Sequence, residues 1–106
     1  MNKRRIVITG MGAISPIGSN VQETWNNLLK GVSGIDRITR FDASVYAAQI
    51  AGEIKNYDPL NYFDKKSIGK LDPYTQYAII AAREAVKDAN LTPENYDPER
   101  VGVITG

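Results

Sequence analysis

The chain has 106 residues, 42% of them apolar and 24% charged, enough for one modest hydrophobic core. A net charge of +1 gives no bulk attraction for nucleic acid. The longest apolar runs, Ile6 to Ile8 and Ala78 to Ala82, are too short to cross a bilayer or to form a secretory signal, so a cytoplasmic location is expected. Cysteine and histidine are both absent, which excludes disulfides, thiolate nucleophiles, Cys-based zinc sites and imidazole proton transfer within these residues.

The chain opens on Arg4-Arg5-Ile6-Val7-Ile8-Thr9-Gly10, read as a buried strand running into a small-residue loop, Gly10 to Gly18. Gly10-Met11-Gly12 invites a dinucleotide-binding reading. However, Ser15 stands where a third glycine belongs, Pro16 breaks the helix expected there, and no Walker-type lysine follows. A tight turn is the better reading. Asn20-Val21-Gln22-Glu23 is an Asn variant of the capping box, starting a helix that runs to Lys30 and stops at Gly31. Val21, Trp25, Leu28 and Leu29 give that helix one apolar face, with Trp25 expected in the core.

From Tyr46 to Ile54 the residues at even positions suggest the buried side of a half-buried strand, with Gln49 and Glu53 facing out. Asn61 to Asp72 places Asp64 as the cap of a short helix carrying Lys65, Lys66 and Lys70, a local positive patch. Asp72-Pro73 then announces the strongest helix, an acidic cap followed by proline in the first turn, running to about Asn90. Its alanines at 78, 81, 82, 85 and 89 imply close approach to a neighbouring element. Thr92 to Arg100 reads as a loop. Val101 to Ile104 is a second buried-strand signal just before Gly106. Strands alternating with helices predict an α/β fold with at least partly parallel pairing.

Chemistry-bearing groups are sparse. Asp36, Asp42, Glu53, Asp58 and Asp64 form neither an acid/base pair nor a metal cluster on spacing, and read as solvated positions. Ser15, Ser33 and Ser44 lack a histidine partner and read as turn or cap residues.

Several pieces together resemble the β-ketoacyl-acyl-carrier-protein synthases, condensing enzymes of the thiolase superfamily. They are the opening strand and loop to Ser15-Pro16-Ile17-Gly18, Thr24-Trp25, Gly31-Val32-Ser33-Gly34-Ile35 and Phe41-Asp42. Ala51-Gly52, Lys70-Leu71-Asp72, Gln76-Tyr77-Ala78 and Val101-Gly102 complete the set. The similarity covers essentially the whole chain and is strongest to the synthase II branch. It implies that residues 1–106 are the amino-terminal portion of a thiolase-like αβαβα fold that works as a homodimer. It also implies a decarboxylative Claisen condensation by a cysteine and two histidines that lie beyond these residues, so the chain alone is expected to be inactive. No cofactor or metal is implied. In that branch basic residues help dock the acidic acyl carrier protein, which assigns Lys65, Lys66 and Lys70 to docking. Gly69 stands where an arginine is common. Two other readings stand beside this one: a small α/β module that binds an acidic partner through the same lysines, and a ketosynthase-like chain-length partner without catalysis.

Overall fold

Helix boundaries follow local sequence signals in the computed structural model, which describes residues 2–106. Helix α1 spans Val21–Leu29. Asn20, in extended backbone, accepts the Glu23 N–H on its side-chain oxygen at 2.8 Å, satisfying one of the orphan donors of the first turn. The return half of the capping box is not made, because Glu23 accepts from the Ser19 hydroxyl instead, at 3.0 Å. At the other end Gly31 takes a φ of +69°. Its N–H reaches the Leu28 carbonyl and the Val32 N–H reaches the Asn27 carbonyl, both at 3.0 Å. This is a Schellman closure, which favours a residue without Cβ.

Two three-residue strands follow, β1 (Ile35–Arg37) and β2 (Ile50–Gly52), paired antiparallel with Ile35 opposite Gly52 and Arg37 opposite Ile50. Next come a 3₁₀ turn at Pro59–Asn61, the one-turn helix α2 (Lys65–Ile68) and the long helix α3 (Pro73–Asp88). Helix α3 ends as α1 does, with Asn90 at a φ of 53° and its N–H on the Lys87 carbonyl at 3.1 Å. Its start differs from expectation. Asp72 precedes the helix but makes no side-chain capping bond, so Pro73 in the first turn is what sets the boundary.

Strands were less legible. The segment expected to be a strand from Tyr46 to Ile54 pairs only over Ile50–Gly52, and of the even positions expected to be buried only Ile54 is even partly covered. Tyr46 and Ile50 are exposed, while Gln49, Ala51 and Glu53 are partly covered. Glu53 accepts the Thr39 N–H at 3.1 Å and the Thr39 hydroxyl at 2.8 Å, bonds that lie at the surface and fold its side chain back onto the 38–40 loop. Expected parallel pairing is absent among the described residues, where the sheet is antiparallel. Ile6 to Ile8 and Val101 to Ile104 belong to no strand. Ile6 is 94% and Ile104 99% exposed. Apolar sequence makes a strand only when another backbone lies alongside to complete the ladder, and these segments have none.

Of the α3 alanines, Ala81, Ala85 and Ala89 do receive a close neighbour, the Gly10–Gly12 segment, while Ala78 and Ala82 stay exposed. A Cβ on Gly12 would lie 1.8 Å from the Ala81 carbonyl oxygen, and one on Gly10 would lie 2.4 Å from that of Ala85. Neither glycine has positive φ, so the turn expectation gives way to close packing of backbone on helix. The same contact is held by side chains. Asp88 accepts the Met11 N–H at 3.0 Å, and Glu84 accepts the Ala13 N–H at 2.9 Å and the Val21 N–H at 3.1 Å. Glu84 thereby places a carboxylate at the amino terminus of α1, where the helix dipole favours it.

Little of the chain is buried. Ala43, Phe63 and Ile80 are the buried apolar residues and Gln76 the buried polar one. Helix α1 turns Thr24 and Asn27 toward the loop it packs on, through Ser15 Oγ and the Ile17 carbonyl. Its apolar face looks outward, and Trp25, expected in the core, is 55% exposed. Total accessible area is 9135 Å², against about 5,900 Å² for a compact monomer of this mass. The radius of gyration is 17.5 Å, against about 13 Å. An apolar surface this extensive is of the kind that other polypeptide covers.

Candidate functional site

The lysine segment begins with a buried aromatic. Phe63 sits directly before Asp64, whose carboxylate accepts the Ser67 N–H at 2.7 Å and so caps α2. That backbone hydrogen bond, reinforced by the Ser67 side chain, holds the Asp64 carboxyl below its ordinary range. Lys65 and Lys66 occupy the single turn that follows, and both side chains are exposed. Lys70 is not on the helix as expected. Gly69 is the last capping residue, and Lys70 lies in the ensuing turn with its N–H on the Ser67 carbonyl at 3.0 Å. The helix is one turn long because Gly69 is a poor helix former and Pro73 ends any continuation toward α3. Three ammonium groups thus stand exposed within six residues, an arrangement suited to an acidic partner and weakened by salt.

Neighbouring side chains fix this segment from α3. Arg83 donates to the Tyr62 carbonyl at 3.0 Å and lies over the Phe63 ring, 5.0 Å from its centroid. Gln76 donates to the Leu71 carbonyl at 2.9 Å and accepts from the Tyr57 hydroxyl. Burial, followed by the nearby Tyr77, raises the Tyr57 phenol above its ordinary range. Arg40 in turn donates to the Tyr77 hydroxyl at 2.6 Å. Arg83, Glu84 and Asp88 did not stand out in the sequence, and Gln76 did so only within the Gln76-Tyr77-Ala78 piece of the resemblance, with no role attached. The only further trace there is helical spacing, Glu84 and Asp88 four apart and Gln76 and Arg83 seven apart.

The remaining candidates resolve into local structure. Met11 and Ala13 give their N–H groups to carboxylates of α3, so those two donors of the glycine loop are already taken and carboxylates line it, a poor setting for a phosphate. Ser15 Oγ pairs with Thr24 Oγ1 at 2.9 Å, Ser33 Oγ accepts the Ile35 N–H, and the Ser44 N–H goes to Asp42. Asp36 and Asp58 likewise accept neighbouring backbone N–H groups. Among the described residues no group of acidic side chains is placed to hold a metal ion, and no helix is long and apolar enough to cross a membrane.

Comparison with known proteins adds the family. The profile described as "Beta-ketoacyl synthase, N-terminal domain" matches residues 3–106. A Staphylococcus aureus protein named 3-oxoacyl-acyl-carrier-protein synthase 2 is 54% identical over 103 residues, covering 97% of this chain and 25% of that protein. A Coxiella burnetii protein of the same name is 47% identical over 106 residues, covering 100% of this chain and 26% of its own length. The chain therefore spans about a quarter of the length of the curated relatives it matches. Among solved structures, "The ishigamide ketosynthase/chain length factor" superposes with a TM-score of 0.77 at 38% identity, over 89% of this chain and 23% of that one. The expected α/β class and thiolase-like architecture are supported by that superposition.

Proposed function

The chain belongs to the β-ketoacyl synthase family, matching its amino-terminal domain, and from that premise we propose that it forms the amino-terminal part of a 3-oxoacyl-acyl-carrier-protein synthase of fatty acid biosynthesis. The observation that carries this reading is a match along nearly the whole chain, at about half identity, to proteins of that name. Residues 1–106 supply scaffold and part of a docking surface, and the rest of the polypeptide supplies the chemistry. A cysteine thiolate holds the acyl chain as a thioester, and the malonyl group on the carrier loses carbon dioxide. The resulting carbanion attacks the thioester carbonyl, and the thiolate leaves. Two histidines assist decarboxylation, and backbone amides hold the oxyanion. The 106 residues contain neither thiol nor imidazole, so by themselves they condense nothing.

The exposed lysines at 65, 66 and 70 support a role in docking the acidic acyl carrier protein, whose charge would be met in water and steered at long range. The uncovered apolar surface supports burial against the remainder of the synthase and a second protomer, and weighs against a self-sufficient binding module.

The test is charge reversal in the full-length synthase. Lys65→Glu with Lys66→Glu should raise KM for carrier-borne substrates about three- to tenfold at low ionic strength, with the gap closing as salt rises. An unchanged KM refutes the docking role. A second reading follows from the solved neighbour, a ketosynthase/chain length factor by name. In it, this chain starts a non-catalytic partner, and full-length protein that fails to extend an acyl group would select that reading.

A further inference from the structure

We propose that Arg83, together with Gln76, is a positioning residue for the carrier-docking lysines, acting through the backbone on either side of α2. The inference rests on the docking role of Lys65, Lys66 and Lys70. A helix of one turn has no stability of its own in water, so the three ammonium groups are only as well placed as the two ends of their segment. Both ends are tied to α3, the longest helix of the chain.

At the entry Arg83 makes two contacts with one planar group. Its Nη1 donates to the Tyr62 carbonyl at 3.0 Å, and the guanidinium carbon lies 5.0 Å from the centre of the Phe63 ring. Phe63 is among the few buried apolar side chains and adjoins the Asp64 cap, so whatever fixes Phe63 fixes the first turn. At the exit Leu71 follows Lys70, and Gln76 donates to the Leu71 carbonyl at 2.9 Å. Gln76 is 4% exposed, and the Tyr57 hydroxyl occupies its carbonyl oxygen. Residues 76 and 83 lie two turns apart on one face of α3, one clamp at each end of the lysine segment. A surface ordered before encounter loses less freedom on binding, which strengthens association without adding a contact.

Lysine cannot replace arginine here. An ammonium does not lie flat on a ring while forking to a carbonyl. In the full-length synthase, Arg83→Lys and Arg83→Ala should therefore both raise KM for acyl-carrier-protein substrate, by about two- to fivefold, with kcat at saturating carrier retained. Amide exchange over residues 64–70 should quicken by a similar factor. Gln76→Met removes the exit tie without touching the ring contact and should act in the same direction.

Full rescue by Arg83→Lys of a KM raised by Arg83→Ala would assign the effect to charge and overturn positioning. So would an unchanged KM and unchanged exchange in both Arg83 variants alongside a raised KM in the Lys65→Glu, Lys66→Glu enzyme. If that charge-reversed enzyme itself shows an unchanged KM, the docking role falls and the positioning claim with it. Exchange over 64–70 would then report only whether α3 clamps the segment.

Discussion

Replacing Gly12 by alanine is the sharpest perturbation this structure offers. The added Cβ would sit 1.8 Å from the Ala81 carbonyl oxygen and 2.8 Å from the Ala85 nitrogen. Heavy atoms do not approach Cβ within 3.0 Å, so the loop must withdraw by about 1.2 Å. Movement of that size lengthens the 2.9 Å bond from Ala13 to Glu84 and the 3.0 Å bond from Met11 to Asp88 past hydrogen-bonding range. Overpacking costs about 1–3 kcal/mol. Each hydrogen bond to a charged group is worth about 1.5–3 kcal/mol, less for the exposed Asp88 bond. A destabilisation of about 3 kcal/mol is expected, read by urea unfolding of the full-length synthase with Gly69→Ala as the control. Gly69 has φ −66° and only ordinary contacts, the nearest at 3.8 Å, so alanine there should be neutral or slightly stabilising. A Gly12→Ala protein within about 0.5 kcal/mol of the parent, on the scale of a surface substitution, would refute the close-packing account.

Two further outcomes follow. Gly31→Ala meets no atom within 4 Å, so its cost is backbone strain at φ +69° alone. That is about 1 kcal/mol by unfolding, and Gly31→Asn should recover part of it; equal losses for Ala and Asn would contradict this. Glu53, whose carboxylate is held below its ordinary value of 4.5 chiefly by the Thr39 hydroxyl, stabilises the 38–54 region above that pH. The contribution is lost as pH falls through the depressed value. Carboxyl NMR titration checks this, and a midpoint at or above that of an ordinary glutamate would contradict it.

Legibility from sequence tracked the range of the interactions. Asn20, Gly31, Asp64 and Pro73 act on backbone within a few residues, and the helix boundaries they mark are where the sequence puts them. Ile35–Arg37 could not be read as a strand, because Ile-Asp-Arg has no alternation and exists as a strand only through its partner fifteen residues on. Gln49 and Glu53 are partly covered against the apolar pattern because each bonds to nearby backbone, Gln49 to the Ser44 and Tyr46 carbonyls and Glu53 to the Thr39 and Arg40 N–H groups. The lysine patch was legible as charge, but its supports were not. Nothing in Gln76 or Arg83 as residue types separates them from solvated helix positions, and it is the carbonyls of Leu71 and Tyr62 that give them a task.

The Gly12 contact also limits how this region can evolve. The obstructing atoms are the main-chain oxygen of residue 81 and nitrogen of residue 85, which every amino acid carries. Shrinking Ala81 or Ala85 to glycine therefore opens no room for a methyl group at position 12. Second-site suppressors will have to shift the whole of α3, and changes confined to side chains at its surface will not restore a lost glycine.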